Sequence, residues 1–165
     1  MTRASWGSGF AVRMALTPWG ERIDRFCVRL FAHSPVVWIF TRAEGVPYNR
    51  PLLLTTIGRK TGRPRAVVLP CFEIADGRVA LVASRGGMPT DPHWARNLDA
   101  CPRARIHWLR DERPVRARRA EGEERDRLWA PIVARSPIYA RYAEKAAPYR
   151  EIPLFVLENE PPDRA

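Results

Sequence analysis

Residues 52–69 read LLLTTIGRKTGRPRAVVL, and this stretch constrains the fold more than any other. An apolar, threonine-rich run from Leu52 to Ile57 stops at Gly58, and Ala66 to Leu69 form a second apolar run. Between them stand four cations, Arg59, Lys60, Arg63 and Arg65, with Thr61, Gly62 and Pro64. Two strand-like runs this close, punctuated by Gly and Pro, predict a β-hairpin or a tight strand-to-strand crossing. The tip carries more positive charge than a turn requires. Gly58 and Gly62 permit φ > 0 and close approach of a ligand to the backbone. The arginines offer planar donor forks suited to phosphate and carboxylate. A solvated basic turn accounts for the loop equally well when it is taken alone.

The flanking chain supplies further hairpins rather than βαβ units. A strand over 65–74 is followed by Asp76-Gly77, a strong hairpin signal between apolar runs, and a strand over 78–84. The segment SRGGMPTDP is too rich in Gly and Pro for regular structure, and HWARNLDA (93–100) reads as a short helix closed before Pro102. Residues 103–109 alternate like a half-buried strand, DERP (111–114) reads as a turn, and 115–121 as the partner strand. The stretch 121–148 is helical in pieces broken at Pro131 and Pro137, and IPLFVLE (152–158) is a closing strand. About six strands in hairpin-like pairs predict an α+β domain built on a small antiparallel barrel. The division expected is an N-terminal helical lead segment, 1–48, followed by a barrel domain, 49–160.

Within the lead segment, residues 20–33 (GERIDRFCVRLFAH) place Ile23, Phe26, Cys27, Leu30 and Phe31 on one helical stripe, with Arg22, Arg25 and Arg29 off it. Such a helix suits an anionic membrane surface, but the reading favours packing of the stripe on the domain's own core. Charge fits either account. Against 18 acidic residues stand 28 basic ones, a net charge of +10, which attracts polyanions without naming one. Nucleic acid is disfavoured because the tryptophans are not interleaved with the basic runs. Three scattered cysteines, Cys27, Cys71 and Cys101, argue against disulfides and zinc and for a cytoplasmic location. No signal peptide and no apolar stretch of spanning length are expected.

Familiar catalytic patterns are missing. His33, His93 and His107 are isolated, with no metal-ligand spacing, and no GxSxG elbow or P-loop occurs. Only His93, beside Trp94, stands in a suggestive place. Any chemistry here would therefore rest on a bound cofactor, with the protein supplying binding and orientation. A second stretch points the same way: Ala83-Ser84-Arg85-Gly86-Gly87 leaves a strand, and Pro92-x-Trp94-x-x-Asn97-Leu98 follows. Paired glycines after a strand can cradle a flat ring or phosphate, and a tryptophan can wall it.

Together, LLLTTIGRKTGRPR, DGRVALVASRGG and PHWARNL resemble the deazaflavin-dependent nitroreductase family, split β-barrel enzymes that use the reduced deazaflavin coenzyme F420. The likeness extends from about Asn49 to Glu158. It implies that Arg59, Lys60 and Arg65 grip the coenzyme's phosphate and oligoglutamate tail. It also implies that Ala83, Ser84, Arg85, Gly86 and Gly87 hold the deazaflavin head, with Trp94 and Asn97 at its edge. The family's late helical tyrosines border the substrate side, which corresponds to Tyr139 and Tyr142 here. The implied reaction is hydride transfer from the reduced coenzyme to an electron-poor acceptor such as a quinone, enone or nitro compound. FMN is the less favoured cofactor, and barrels of this type commonly form homodimers. Departures concern the substrate wall: Ala95 follows Trp94, Cys71-Phe72 stand where a tyrosine is usual, Arg85 replaces a lysine, and a further tyrosine is replaced near Ser136. These keep two other readings open, a coenzyme carrier without turnover and a basic module that binds membrane surfaces or other anions.

Overall fold

The computed structural model describes residues 17–31, 33–45, 47–109 and 111–160. Seven strands form one antiparallel sheet in the order β2-β1-β5-β6-β7-β4-β3. They are β1 (Pro51–Ile57), β2 (Pro64–Pro70), β3 (Phe72–Glu73), β4 (Val79–Val82), β5 (Arg103–Trp108), β6 (Asp111–Arg119) and β7 (Leu154–Asn159). The two edge strands, β2 and β3, are separated in sequence only by Cys71. Sheet edges joined by one residue require the sheet to curl back on itself, giving the half-barrel of the expected α+β class. The expected continuous strand over 65–74 is thus broken at Cys71, where the chain turns from pairing with β1 to pairing with β4.

Strand alternation separates two cores. Phe155 and Leu157 of β7 join Leu52, Leu54, Leu81, Ile106 and Val115 inside the curl, where Trp94, Ala95 and Leu98 of α3 (His93–Ala100) plug it. Their neighbours Leu154 and Val156 face outward against Ile132, Ile138 and Tyr139. Those side chains come from α4 (Gly122–Arg135) and α5 (Ile138–Ala146). A strand buried on both faces needs an unbroken apolar run, and LFVL supplies it.

Two boundaries differ from expectation. DERP is not a turn: Trp108 pairs with Asp111 and Arg105 with Pro114, so β6 begins at Asp111. The reversal lies between Trp108 and Asp111, and Leu109 there has φ 52. Cross-strand packing outweighed local turn propensity there. Likewise α4 runs through Pro131 and breaks only at Ser136–Pro137. Pro131 lies on the exposed side, where water can serve the carbonyl that lacks an amide partner.

The N-terminal helices are α1 (Pro18–Phe31) and α2 (Pro35–Glu44). α1 lies against β1, β2 and β5, but not through its apolar stripe. Its inward residues are Asp24 and Val28, both buried and one turn apart. The Asp24 carboxylate accepts from Ser34 Oγ at 2.7 Å and from the Val36 amide at 3.1 Å, while Ser34 Oγ accepts from the Val37 amide. Two side chains thus satisfy the free amides at the start of α2. His107 Nε2 lies 2.9 Å from the Arg29 carbonyl and ties the helix to β5. This polar lock fixes the rotation of α1 and turns Trp19, Ile23, Phe26, Leu30 and Phe31 outward, each between 49% and 72% exposed. The expectation that the stripe packs on the core is overturned, because satisfying the α2 start decided which face turned in.

Candidate active site

The β1–β2 hairpin builds the basic tip. Thr56 pairs with Arg65 and Ile57 with Pro64. Beyond them the Gly58 amide donates to the Arg63 carbonyl at 2.9 Å, and the Gly58 carbonyl accepts from the amides of Thr61 (3.0 Å) and Gly62 (2.7 Å). Gly62 adopts φ +64, as its turn requires. Gly58 serves a different purpose: a Cβ there would stand 3.0 Å from both the Arg63 carbonyl and Thr61 Oγ1. Its value lies in close packing of the tip.

The tip faces α3 across a cleft of about 660 Å³. Arg59, Lys60, Arg65 and Arg85 line it, together with His93, Trp94 and Asn97. Four cations on one cavity create a strong local preference for anions. Arg63, equally basic in sequence, is absent from the lining. Asn97 is buried at the cleft wall, and it is hydrogen-bonded to the tip. Its Oδ1 accepts from the Arg59 amide (3.2 Å) and from Arg59 Nη1 (3.3 Å), and its Nδ2 donates to Thr56 Oγ1 (3.1 Å). It thereby fastens the tip to α3. Trp94 lines the cleft with one edge while its ring packs edge-to-face on Phe155, centroids 5.5 Å apart.

At the end of β4 the chain makes a tight 3-10 turn over Arg85–Gly87. Arg85, Gly86 and Gly87 have φ of 46, 62 and 72, so three successive residues are left-handed. A Cβ on Gly87 would lie 2.8 Å from the Tyr142 carbonyl and 2.9 Å from Lys145 Cβ, so α5 presses directly on this turn. Gly86 has nothing within 4 Å of a hypothetical Cβ and keeps its outer side open. Of the five strand-end residues, Arg85 reaches the cleft lining; Ala83, Ser84, Gly86 and Gly87 form the turn behind it.

Tyr139 and Tyr142 lie elsewhere. Tyr139 is buried against Phe72 and sits 6.2 Å from Tyr142, centroid to centroid. Burial pushes its phenol well above the ordinary range, which holds it protonated. Tyr142 packs on the same outer cluster, and neither ring lines the cleft. Sequence reasoning left out several lining residues, Thr56, Thr61, Ala66, Val67, Pro92 and His93. Only His93 carried a signal, its place beside Trp94 at the start of α3. Among the described residues no group of three or more His, Cys, Asp or Glu is placed to hold a metal ion. No helix among them is long and apolar enough to cross a membrane.

The residues present suit a flat ring trailing anions: the fixed cations suit a polyanionic tail, and the glycine turn leaves one open side for a ring. Comparison with known proteins agrees. Residues 29–159 match the family model described as F420H(2)-dependent quinone reductase. An F420H(2)-dependent quinone reductase of Mycobacterium tuberculosis H37Rv is 34% identical over 119 residues, covering 70% of this chain and 76% of the relative. A second protein of that organism, named as a "Putative F420H(2)-dependent quinone reductase", is 40% identical over 89 residues, covering 52% and 73%. Among solved structures, an F420-H2 dependent reductase superposes with TM-score 0.59 at 39% identity, covering 66% of this chain and 93% of the other. A domain-swapped dimer superposes with the same TM-score at 37% identity, covering 76% and 100%. On the length of the family match and the agreement of fold, the chain belongs to the F420H(2)-dependent quinone reductase family.

Proposed function

We propose that the chain reduces a quinone with reduced coenzyme F420, held in the cleft between the β1–β2 tip and the glycine turn. The observation that carries this reading is the convergence of Arg59, Lys60, Arg65 and Arg85 on one cavity beside that turn. Arg59, Lys60 and Arg65 would bind the phosphate and carboxylates of the tail, and Arg85 with the turn would bind the deazaflavin head. When bound, the reduced coenzyme supplies a hydride. The protein aligns the two reactants, excludes water through the Trp94 edge, and sets a positive field around developing negative charge on the acceptor. His93 is exposed at the cleft wall. Enones and nitro compounds are acceptors of the same electronic class. Titration of F420 by fluorescence, followed by oxidation of the reduced coenzyme with a quinone panel, tests the proposal. Binding without turnover would favour the carrier reading, and FMN affinity equal to that of F420 would overturn the assignment of the tail site.

A specific observation also favours contact with an anionic bilayer. The outward row Trp19, Ile23, Phe26, Leu30 and Phe31 is flanked by cations, with Arg22 stacked 5.7 Å over Trp19 and Arg42 5.7 Å over the exposed Trp38. Aromatic residues paired with arginines suit the headgroup boundary, and each cation near an anionic surface contributes about 1 kcal/mol. Flotation with phosphatidylglycerol vesicles should recover the protein, whereas neutral vesicles should recover less. The Ile23→Glu/Phe26→Glu variant should lose flotation while keeping coenzyme affinity. Equal flotation of variant and wild type would refute the contact. Sedimentation showing that the variant dissociates a dimer, without wild-type flotation, would assign the face to a second copy of the chain.

A further inference from the structure

We infer that Arg150 is a positioning residue that holds the glycine turn in shape for the coenzyme head. The inference rests on the coenzyme site proposed above and deepens it. Arg150 lies between α5 and β7, outside the cleft lining, with its side chain only 12% exposed. Its Nη2 donates to the carbonyls of Ala83 (3.2 Å) and Ser84 (2.9 Å), and its Nε to the carbonyl of Met88 (3.0 Å). Nη1 stands 2.7 Å from Asp91 Oδ1. One guanidinium therefore grips the chain on both sides of Arg85, Gly86 and Gly87.

Those three left-handed residues need an external constraint. Within the turn the chain bonds itself through the Gly87 amide to the Ser84 carbonyl (2.9 Å) and the Met88 amide to the Arg85 carbonyl (3.2 Å). Arg85 carries a side chain at φ 46, a conformation that persists only where surrounding structure enforces it. Arg150 closes the turn from behind, and its planar fork spans carbonyls that a point-like ammonium cannot reach together. Asp91 extends the brace. It also pairs with Arg119 at 3.3 Å, and Arg119 makes two bonds of 2.8 Å to Asp99 on α3. The turn and the helix that carries Trp94 and Asn97 are thus tied through the series Arg150–Asp91–Arg119–Asp99, which fixes their spacing.

The test compares Arg150→Met, Arg150→Lys and Asp91→Asn with wild type. The readouts are affinity for whole F420, affinity for its head lacking phosphate and glutamates, the absorption spectrum of the bound chromophore, and Tm. Arg150→Met is expected to weaken head-fragment binding tenfold or more, to weaken whole-coenzyme binding by a similar factor, and to leave its salt dependence unchanged. Arg150→Lys should restore only part of the loss. A purely structural role would lower Tm and leave the head affinity and bound spectrum of the folded protein as in wild type; that result overturns the inference. If Arg150→Met does not fold, Asp91→Asn decides: a folded protein with wild-type head affinity and spectrum also overturns it. Wild-type protein that binds neither probe overturns the coenzyme site and this inference together. Wild-type binding with unaffected variants overturns the inference alone.

Discussion

The Asn97 carboxamide holds Arg59 twice, accepting from its backbone amide at 3.2 Å and from its guanidinium at 3.3 Å, while donating to Thr56 at 3.1 Å. One buried side chain on α3 thus sets the position of the basic tip. It does so from both ends of the Arg59 residue.

Asn97→Ala should therefore damage the site by loosening the tip. The substitution removes three hydrogen bonds, leaving the Arg59 amide without its acceptor and Thr56 Oγ1 with only its bond to the Arg65 carbonyl at 3.4 Å, a loss of about 1–3 kcal/mol by the usual cost of unsatisfied groups. Denaturant unfolding measures the stability change, and F420 titration should show weaker binding in the folded fraction. Unaltered affinity would mean that the tip keeps its place without Asn97.

Lys60→Ala combined with Arg65→Ala should weaken coenzyme binding and flatten its dependence on salt, because exposed charge contacts are screened by ions. Titrations at two ionic strengths read both effects. The slope, more than the affinity, identifies these cations as partners of an anionic tail.

Gly87→Ala should be far more harmful than Gly86→Ala, although both glycines are left-handed. At Gly86 the added methyl meets open space and only the backbone preference is lost, about 1 kcal/mol. At Gly87 the methyl would press on the Tyr142 carbonyl at 2.8 Å, which cannot move without shifting α5. Thermal unfolding of the two variants ranks them directly. Equal Tm values would show that α5 yields.

Alkaline stability should depend on Cys71. Burial pushes its thiol from near 9 up to about 12, with Glu73 nearby acting in the same direction. The folded chain then keeps a proton that the unfolded chain has lost, so stability is complete below about pH 9 and falls as the pH rises toward 12. Urea unfolding of wild type and Cys71→Ala at pH 8 and pH 10.5 tests this, and the variant should show the shallower fall. Iodoacetamide at pH 8 should modify the half-buried Cys27 and Cys101 before Cys71.

What the sequence determined by itself was local. The hairpin at 52–69, the Asp76-Gly77 reversal and α3 over His93–Ala100 follow from turn chemistry and short-range periodicity, and all three appear as read. The basic tip and the glycine turn were legible as a pair only through the resemblance of their combined motifs to a known family. Tertiary structure decided what each side chain does. Asn97 became a fastener because α3 comes within hydrogen-bonding distance of the tip, and Tyr139 was buried in the outer core. Arg150 gained a role only when the chain after α5 came to rest against a turn more than sixty residues earlier in sequence. The rotation of α1 depended on a buried carboxylate meeting the start of α2. A helical stripe shows which residues share a face; which face turns inward is settled by the polar groups that must be satisfied.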